Sequence, residues 1–204
     1  MSKIYYLGGS PCSGKSTMAE MISEKYGFQY FKADDFLMDF VLKGANDGNE
    51  WLTAISKMTP DQLWLQDPEK LKEDELRTYQ NLYPYFAEAI KDLGSNTPIV
   101  AEGAAFLPSL MQGEDMQYIC IVPTKEFQVK HFSQREWVDD YLADCSDPKT
   151  AFSNWMGRDA LFALSALEQA KERGFATLVV DGSKTIDENY KIVVEAFGSL
   201  LSLP

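Results

Sequence analysis

The stretch from residue 9 to residue 16 has the residue types and the spacing to hold a polyphosphate. Gly9, Ser10, Pro11, Cys12, Ser13, Gly14, Lys15 and Ser16 fit the pattern G-x-x-x-x-G-K-S/T without mismatch. Glycine at both ends lets the backbone bend so that successive N–H groups point at phosphate oxygens. A helix beginning at the end of the loop adds a partial positive charge there. Lys15 would reach the β- and γ-phosphates of a nucleotide, and the Ser16 hydroxyl would sit on Mg²⁺. Nucleotide contacts are expected from Gly9 through Thr17. Cys12, close to the helix N-terminus, is where a thiol pKa could be lowered.

Further chemistry-bearing groups follow short apolar runs. Lys32-Ala33-Asp34-Asp35-Phe36 places two carboxylates after the second such run. Transfer of a phosphoryl group to a hydroxyl gains from a carboxylate that orients the hydroxyl and accepts its proton. Asp34 is the candidate for that task and Asp35 for a metal contact; a solvated acidic helix start is the alternative. Ile99-Val100-Ala101-Glu102-Gly103 places one acid after the third run, where it could hold Mg²⁺ directly or through water. Arg135 and Arg158 flank a segment, 130–158, that reads as a lid. Guanidinium groups brought in by closure would neutralise charge on a transferring phosphoryl group. For each, a surface ion pair with its neighbour, Glu136 or Asp159, is the competing assignment.

These groups need a scaffold that brings them to one edge. Ile4–Leu7, Phe28–Phe31, Ile99–Ala101, Tyr118–Val122 and Thr177–Val180 are short apolar or aromatic runs followed by turn or cap residues, and they read as strands. Helical patterns fill the gaps. Such alternation predicts a parallel sheet covered by helices on both faces, a three-layer α/β sandwich with ligands at the carboxyl ends of its strands. The segment 37–97 is too long for a simple crossover. Thr59-Pro60-Asp61-Gln62 and Asp67-Pro68 are helix starts, and Leu76, Tyr79, Tyr83, Phe86 and Ile90 recur at helical spacing. The insert is expected to form a helical subdomain over the active site that chooses the acceptor, its aromatic residues mostly core. One helix is expected over 125–142, and another after Asp147-Pro148 with Phe152, Trp155, Met156, Ala160, Ala163 and Leu167 on one face. No repeat or linker divides the 204 residues, which read as a single domain.

Composition narrows the function. An apolar fraction of 45% supports an ordinary buried core. A net charge of −12 works against nucleic acid and anionic membranes as partners. The 3 cysteines have no paired spacing, and no leader or membrane span is legible, so a cytoplasmic protein with reduced thiols is expected. A single histidine, His131, excludes multi-histidine metal sites and reads as a helix-surface residue. No Asn is followed by Lys and no Asp is followed three residues later by Gly. That removes the guanine-reading and switch motifs of GTPases.

Together these residues resemble the P-loop small-molecule and nucleoside kinases. Ala33-Asp34-Asp35-Phe36 is similar to the Asp-Asp/Ser-Phe motif of uridine kinase-like, nicotinamide riboside kinase-like and chloramphenicol phosphotransferase-like proteins, and Val100-Ala101-Glu102-Gly103 to their strand-Glu-Gly motif near the metal. The resemblance implies Asp34 as proton acceptor, Mg-ATP as cofactor, and a small hydroxyl compound as acceptor for a monomer or homodimer. It covers about half of the chain; the insert 37–97 matches no pattern. No adenylate-kinase-type Asp-Gly-x-Pro-Arg follows the third strand. A nucleoside or nucleotide kinase is the alternative within the enzyme class, and a catalytically silent nucleotide-binding module is the alternative outside it.

Overall fold

A computed structural model describes residues 3–94, 96–113, 116–198 and 200; Ser95, within the expected insert, lies outside the described residues. The first strand, β1 (Ile4–Gly9), alternates its side chains between two faces, as a strand must. Tyr5 and Leu7 enter one apolar cluster and Tyr6 enters another. It runs into α1 (Lys15–Tyr26), which is followed by β2 (Gln29–Lys32) and a 3-10 turn over Ala33–Phe36. Then come α2 (Leu37–Asn46), α3 (Glu50–Ile55), α4 (Pro60–Trp64) and α5 (Pro68–Asp92), which leads into β3 (Ile99–Glu102). After β4 (Gln117–Pro123) the chain forms α6 (Lys125–Phe132), α7 (Trp137–Leu142), α8 (Pro148–Glu172), β5 (Ala176–Val180) and α9 (Ile186–Ala196).

The sheet has five strands in the order β2-β3-β1-β4-β5, every pair parallel. All five carboxyl ends therefore lie along one edge. Register fixes the neighbours at that edge: Leu7 and Lys32 both pair with Glu102, and Gly9 pairs with Ile121. On one face, Met18, Ala19 and Ile22 of α1 and Val193 and Val194 of α9 pack against Leu7, Val100 and Ile121. On the other, Tyr79, Leu82, Phe86 and Ile90 of α5 and Phe162, Ala163 and Ala166 of α8 pack against Tyr6, Phe31 and Ala101. This is the expected three-layer α/β sandwich.

The insert is a layer of the sandwich rather than a body above it. Val41 of α2 and Leu52 of α3 share the same core as the sheet residues. Its helix starts are the expected ones: Thr59 forms a capping box with Gln62, and Asp67 caps α5 with Pro68 next to it. The expected continuous helix over 125–142 is broken between α6 and α7. Ser133 Oγ bonds back to the Lys130 carbonyl at 3.0 Å, competing with helix propagation. The break also serves packing. Phe132 and Val138 are out of phase on a 3.6-residue helix, yet both are buried in a cluster with Trp64, Leu142, Trp155 and Met156. That cluster holds the 130–158 segment down on α4, where Asp61 accepts the Ser146 N–H at 2.7 Å. Among the described residues no helix is long and apolar enough to cross a membrane.

Candidate active site

The loop between β1 and α1 is shaped by its glycines and by contact with β4. Gly9 has φ 111°, and a Cβ there would lie 2.1 Å from the Ile121 carbonyl oxygen, so no other residue fits. Gly14, the N-cap of α1, has φ 80°. Lys15 is buried; its ammonium donates to the Ser10 carbonyl at 2.7 Å and lies 3.4 Å from Ser13 Oγ. Ser13 Oγ donates to the same carbonyl at 3.0 Å, and Ser10 Oγ donates to the Asp159 carbonyl at 3.3 Å. The loop is thus anchored to both β4 and α8.

At the end of β3, Glu102 is 1% exposed. It accepts a hydrogen bond from Tyr30 at 3.1 Å, and the nearby Ser16 hydroxyl favours its charged form. Burial pushes its carboxyl up, opposed chiefly by the Lys15 ammonium. Beyond it, Gly103 has φ 154° and room for no Cβ, which would stand 2.6 Å from that of Ala33. This close approach presses the turn holding Asp34 against the tip of β3. Ser16 and Glu102 together offer a hydroxyl and a buried carboxylate, the hard oxygen donors Mg²⁺ takes when phosphates and water complete its shell. Asp35 does not join them. It is exposed, 3.4 Å from Lys32, and outside the cavity. Adjacent positions on a tight turn point apart, which separates Asp35 from Asp34.

One cavity of about 800 Å³ runs from the loop to the insert and α8. Lys15, Ser16, Asp34, Glu102, Arg135 and Arg158 all line it, with the loop from Pro11 to Thr17; of the expected site residues Asp35, Gly9 and the buried Ser10 do not. The two arginines differ. Arg135, in the turn between α6 and α7, is exposed; its guanidinium lies over the Phe132 ring (4.4 Å) and 3.8 Å from Cys12 Sγ. Arg158 is inside. Its Nη2 is 2.6 Å from Asp159 Oδ1 and its Nε is 3.2 Å from Glu75 Oε2, while Trp64 covers the guanidinium at 4.8 Å. Arg158 is thus paired with Asp159, as the competing assignment had it, but in a buried cluster rather than on the surface.

Glu75 and Asp159 are the site residues that the sequence reading missed. Asp159 is fully buried and accepts from Gln128 at 2.9 Å. Glu75, with its side chain 9% exposed, accepts from the Tyr79 hydroxyl at 3.1 Å. Burial pushes Glu75 up to about 7; Arg158 pulls it down, and Asp159 and Asp34 push it further up. A signal for both existed. Glu75 stands among Leu71, Tyr79, Leu82 and Phe86 on the apolar face of α5, and Asp159 between Trp155 and Phe162 on that of α8. An acid on an apolar stripe needs a partner inside.

Two other residues take plain roles. The Cys12 thiol is raised, because burial outweighs Arg135 and Lys15, so it is not activated. His131 Nδ1–H donates to the Phe127 carbonyl (2.8 Å), and the ring stacks on Phe127 and lies outside the cavity.

TT1252 from Thermus thermophilus is similar in structure, with a TM-score of 0.51 at 16% identity over 98% of this chain and 98% of that chain. A gluconokinase from Sinorhizobium meliloti 1021 (TM-score 0.48, 16% identity, 98% of this chain and 93% of that chain) is also matched. So is a dephospho-CoA kinase from Campylobacter jejuni (TM-score 0.47, 17% identity, 98% of each chain). At such identities the likeness is one of fold. The shared fold is a parallel α/β sandwich. No family model and no curated protein sequence matches the chain.

Proposed function

We propose that this chain is a Mg-ATP-dependent phosphotransferase that moves the γ-phosphate of ATP to a hydroxyl of a small molecule. The supporting observation is that Asp34 lines the same cavity as the phosphate-binding loop, Lys15 and Glu102. A nucleotide-binding module without chemistry has no need of a carboxylate at that place.

The chain's own groups divide the work. The loop backbone and the α1 N-terminus hold the phosphates, and Lys15 follows the charge on the oxygens of the group in transfer. Asp34 orients the acceptor hydroxyl and takes its proton. Ser16 and Glu102 hold Mg²⁺, which would neutralise phosphate charge and fix the line of transfer. Arg135 stands free at the loop to balance further phosphate charge. Arg158, committed to Glu75 and Asp159, serves the wall of the acceptor half.

The test is ADP release from Mg-ATP against a panel of hydroxyl compounds, with Lys15→Ala as blank. Release that depends on an acceptor and is lost in the blank supports a kinase. Tight ATP binding without stimulated release by any acceptor would overturn it in favour of a binding module.

A further inference from the structure

Glu102 lines the cavity, but the hydroxyl that holds it belongs to a residue that does not. Tyr30 lies in β2, the edge strand, and donates its phenol O–H to Glu102 Oε1 at 3.1 Å. Register explains the reach. Tyr30 pairs with Val100 and Lys32 pairs with Glu102. Side chains two residues apart on a strand share a face, so Tyr30, Val100 and Glu102 all point to the face covered by α1. Only a long side chain at position 30 spans the diagonal to the carboxylate. The Ser16 hydroxyl, in the first turn of α1, is near both the phenol and the carboxylate. Oxygen groups from β2, β3 and α1 thus meet beside the phosphate loop.

We propose, resting on the Mg-ATP reading, that Tyr30 is a positioning residue: its phenol holds Glu102 Oε1 and so presents the other carboxylate oxygen to the Mg²⁺ of the bound nucleotide. Mg²⁺ demands near-octahedral geometry, so a carboxylate that serves it must be fixed in place. Glutamate has one more rotatable bond than aspartate and needs that restraint more. A hydrogen bond to one oxygen supplies it and leaves the other for the metal or one of its waters. Tyr30 acts through Glu102, because its own side chain is not on the cavity wall. The competing role is to satisfy a buried carboxylate and nothing else. That role would affect folding and leave metal affinity alone.

The experiment measures how tightly the ATP-loaded protein takes Mn²⁺, read from the electron paramagnetic resonance signal of the free ion, and how tightly ATP binds in EDTA. Tyr30→Phe removes the hydroxyl and keeps the ring in its apolar cluster. Mn²⁺ affinity should fall about tenfold, while the Kd for ATP in EDTA stays within about twofold. Glu102→Gln should weaken Mn²⁺ at least as much, and adding Tyr30→Phe to it should change nothing further, because the phenol has lost the group it acts through. If Tyr30→Phe folds poorly, meta-fluorotyrosine placed at position 30 keeps the phenol. Its fluorine NMR line should move when Mg²⁺ is added to the ATP-loaded protein, and a line that stays in place overturns the inference. Unchanged Mn²⁺ affinity in Tyr30→Phe, or an equal loss of Mn²⁺ and of ATP in EDTA, also overturns it and leaves the kinase reading intact. Wild-type protein that takes up no metal with ATP overturns both.

Discussion

The two ends of the cavity are built differently. At the phosphate end the groups come from one contiguous loop, 9–17, plus Glu102, which strand register sets opposite Leu7. Their positions follow from backbone geometry, and glycines at 9 and 103 leave no alternative. At the acceptor end Glu75, Arg158 and Asp159 come from two long helices, α5 and α8, and side-chain charge holds them. The phosphate end is rigid because the chain cannot take another path there. The acceptor end is held by mutual electrostatics, so it is both more tunable and easier to break.

The largest effect expected from disturbing this arrangement falls where the ends meet. Asp34→Asn keeps shape and removes the proton acceptor. Turnover should fall by about 10²–10⁴-fold, with the KM for ATP unchanged, since no loop contact is lost. Steady-state kinetics on the best acceptor checks this. Unchanged turnover would remove Asp34 from the chemistry and with it the main difference from a binding module.

Next comes the acceptor end itself. Arg158→Met takes the one cation from between Glu75 and Asp159 and leaves two buried carboxylates facing each other. A loss of about 3–5 kcal/mol in unfolding free energy is expected near neutral pH, measured by denaturant titration. Proton uptake by the pair relieves the repulsion, so the loss should shrink as pH falls. Arg135→Met is the counterpart at the other end. That side chain is exposed, so its loss should lower turnover and leave stability nearly unchanged.

This contrast also explains what the sequence made legible. The sheet, the loop, Asp34 and Glu102 could be read because each rests on short-range pattern: a strand, then a functional group one or two residues later. The caps at Thr59, Asp67 and Asp147 were legible for the same reason. Asp35 could not be separated from Asp34, because only the turn's geometry turns one inward and the other to Lys32. The break at 133–136 was hidden, since local periodicity does not say that Phe132 and Val138 share a cluster. Glu75 and Asp159 were hidden by distance along the chain: their significance exists only once α5 and α8 pack together.

A third, smaller effect tests the charge balance through pH. Burial raises Glu75 from its ordinary 4.5 to about 7. In that interval the native protein holds a proton that the unfolded chain releases, so native binding exceeds unfolded binding and stability declines as pH rises through it. Hydrogen bonds at helix caps and turns lower Asp61, Asp147, Asp181 and Glu188, whose contribution has the opposite sign and is lost at more acid pH. Thermal unfolding of wild type should therefore show a decline between about pH 5 and pH 8 that Glu75→Gln reduces by about 1–3 kcal/mol. Parallel curves for the two proteins would place the charge balance elsewhere.

The smallest effect separates the two ends most cleanly. Two helices begin with the same capping box, Thr59 with Gln62 and Thr185 with Glu188. Either Thr→Ala change should cost about 1 kcal/mol of stability. Their neighbourhoods differ. Thr59 starts α4, which carries Leu63 and Trp64 into the acceptor wall. Thr185 starts α9, whose Ile186 packs where a Cβ on Gly14 would meet it at 3.2 Å, against the phosphate loop. Loosening of one turn should therefore raise KM for the acceptor alone in Thr59→Ala and for ATP alone in Thr185→Ala, each by a few-fold. If both variants raise both constants equally, the ends are mechanically one unit, and the division drawn from their charges does not extend to their motions.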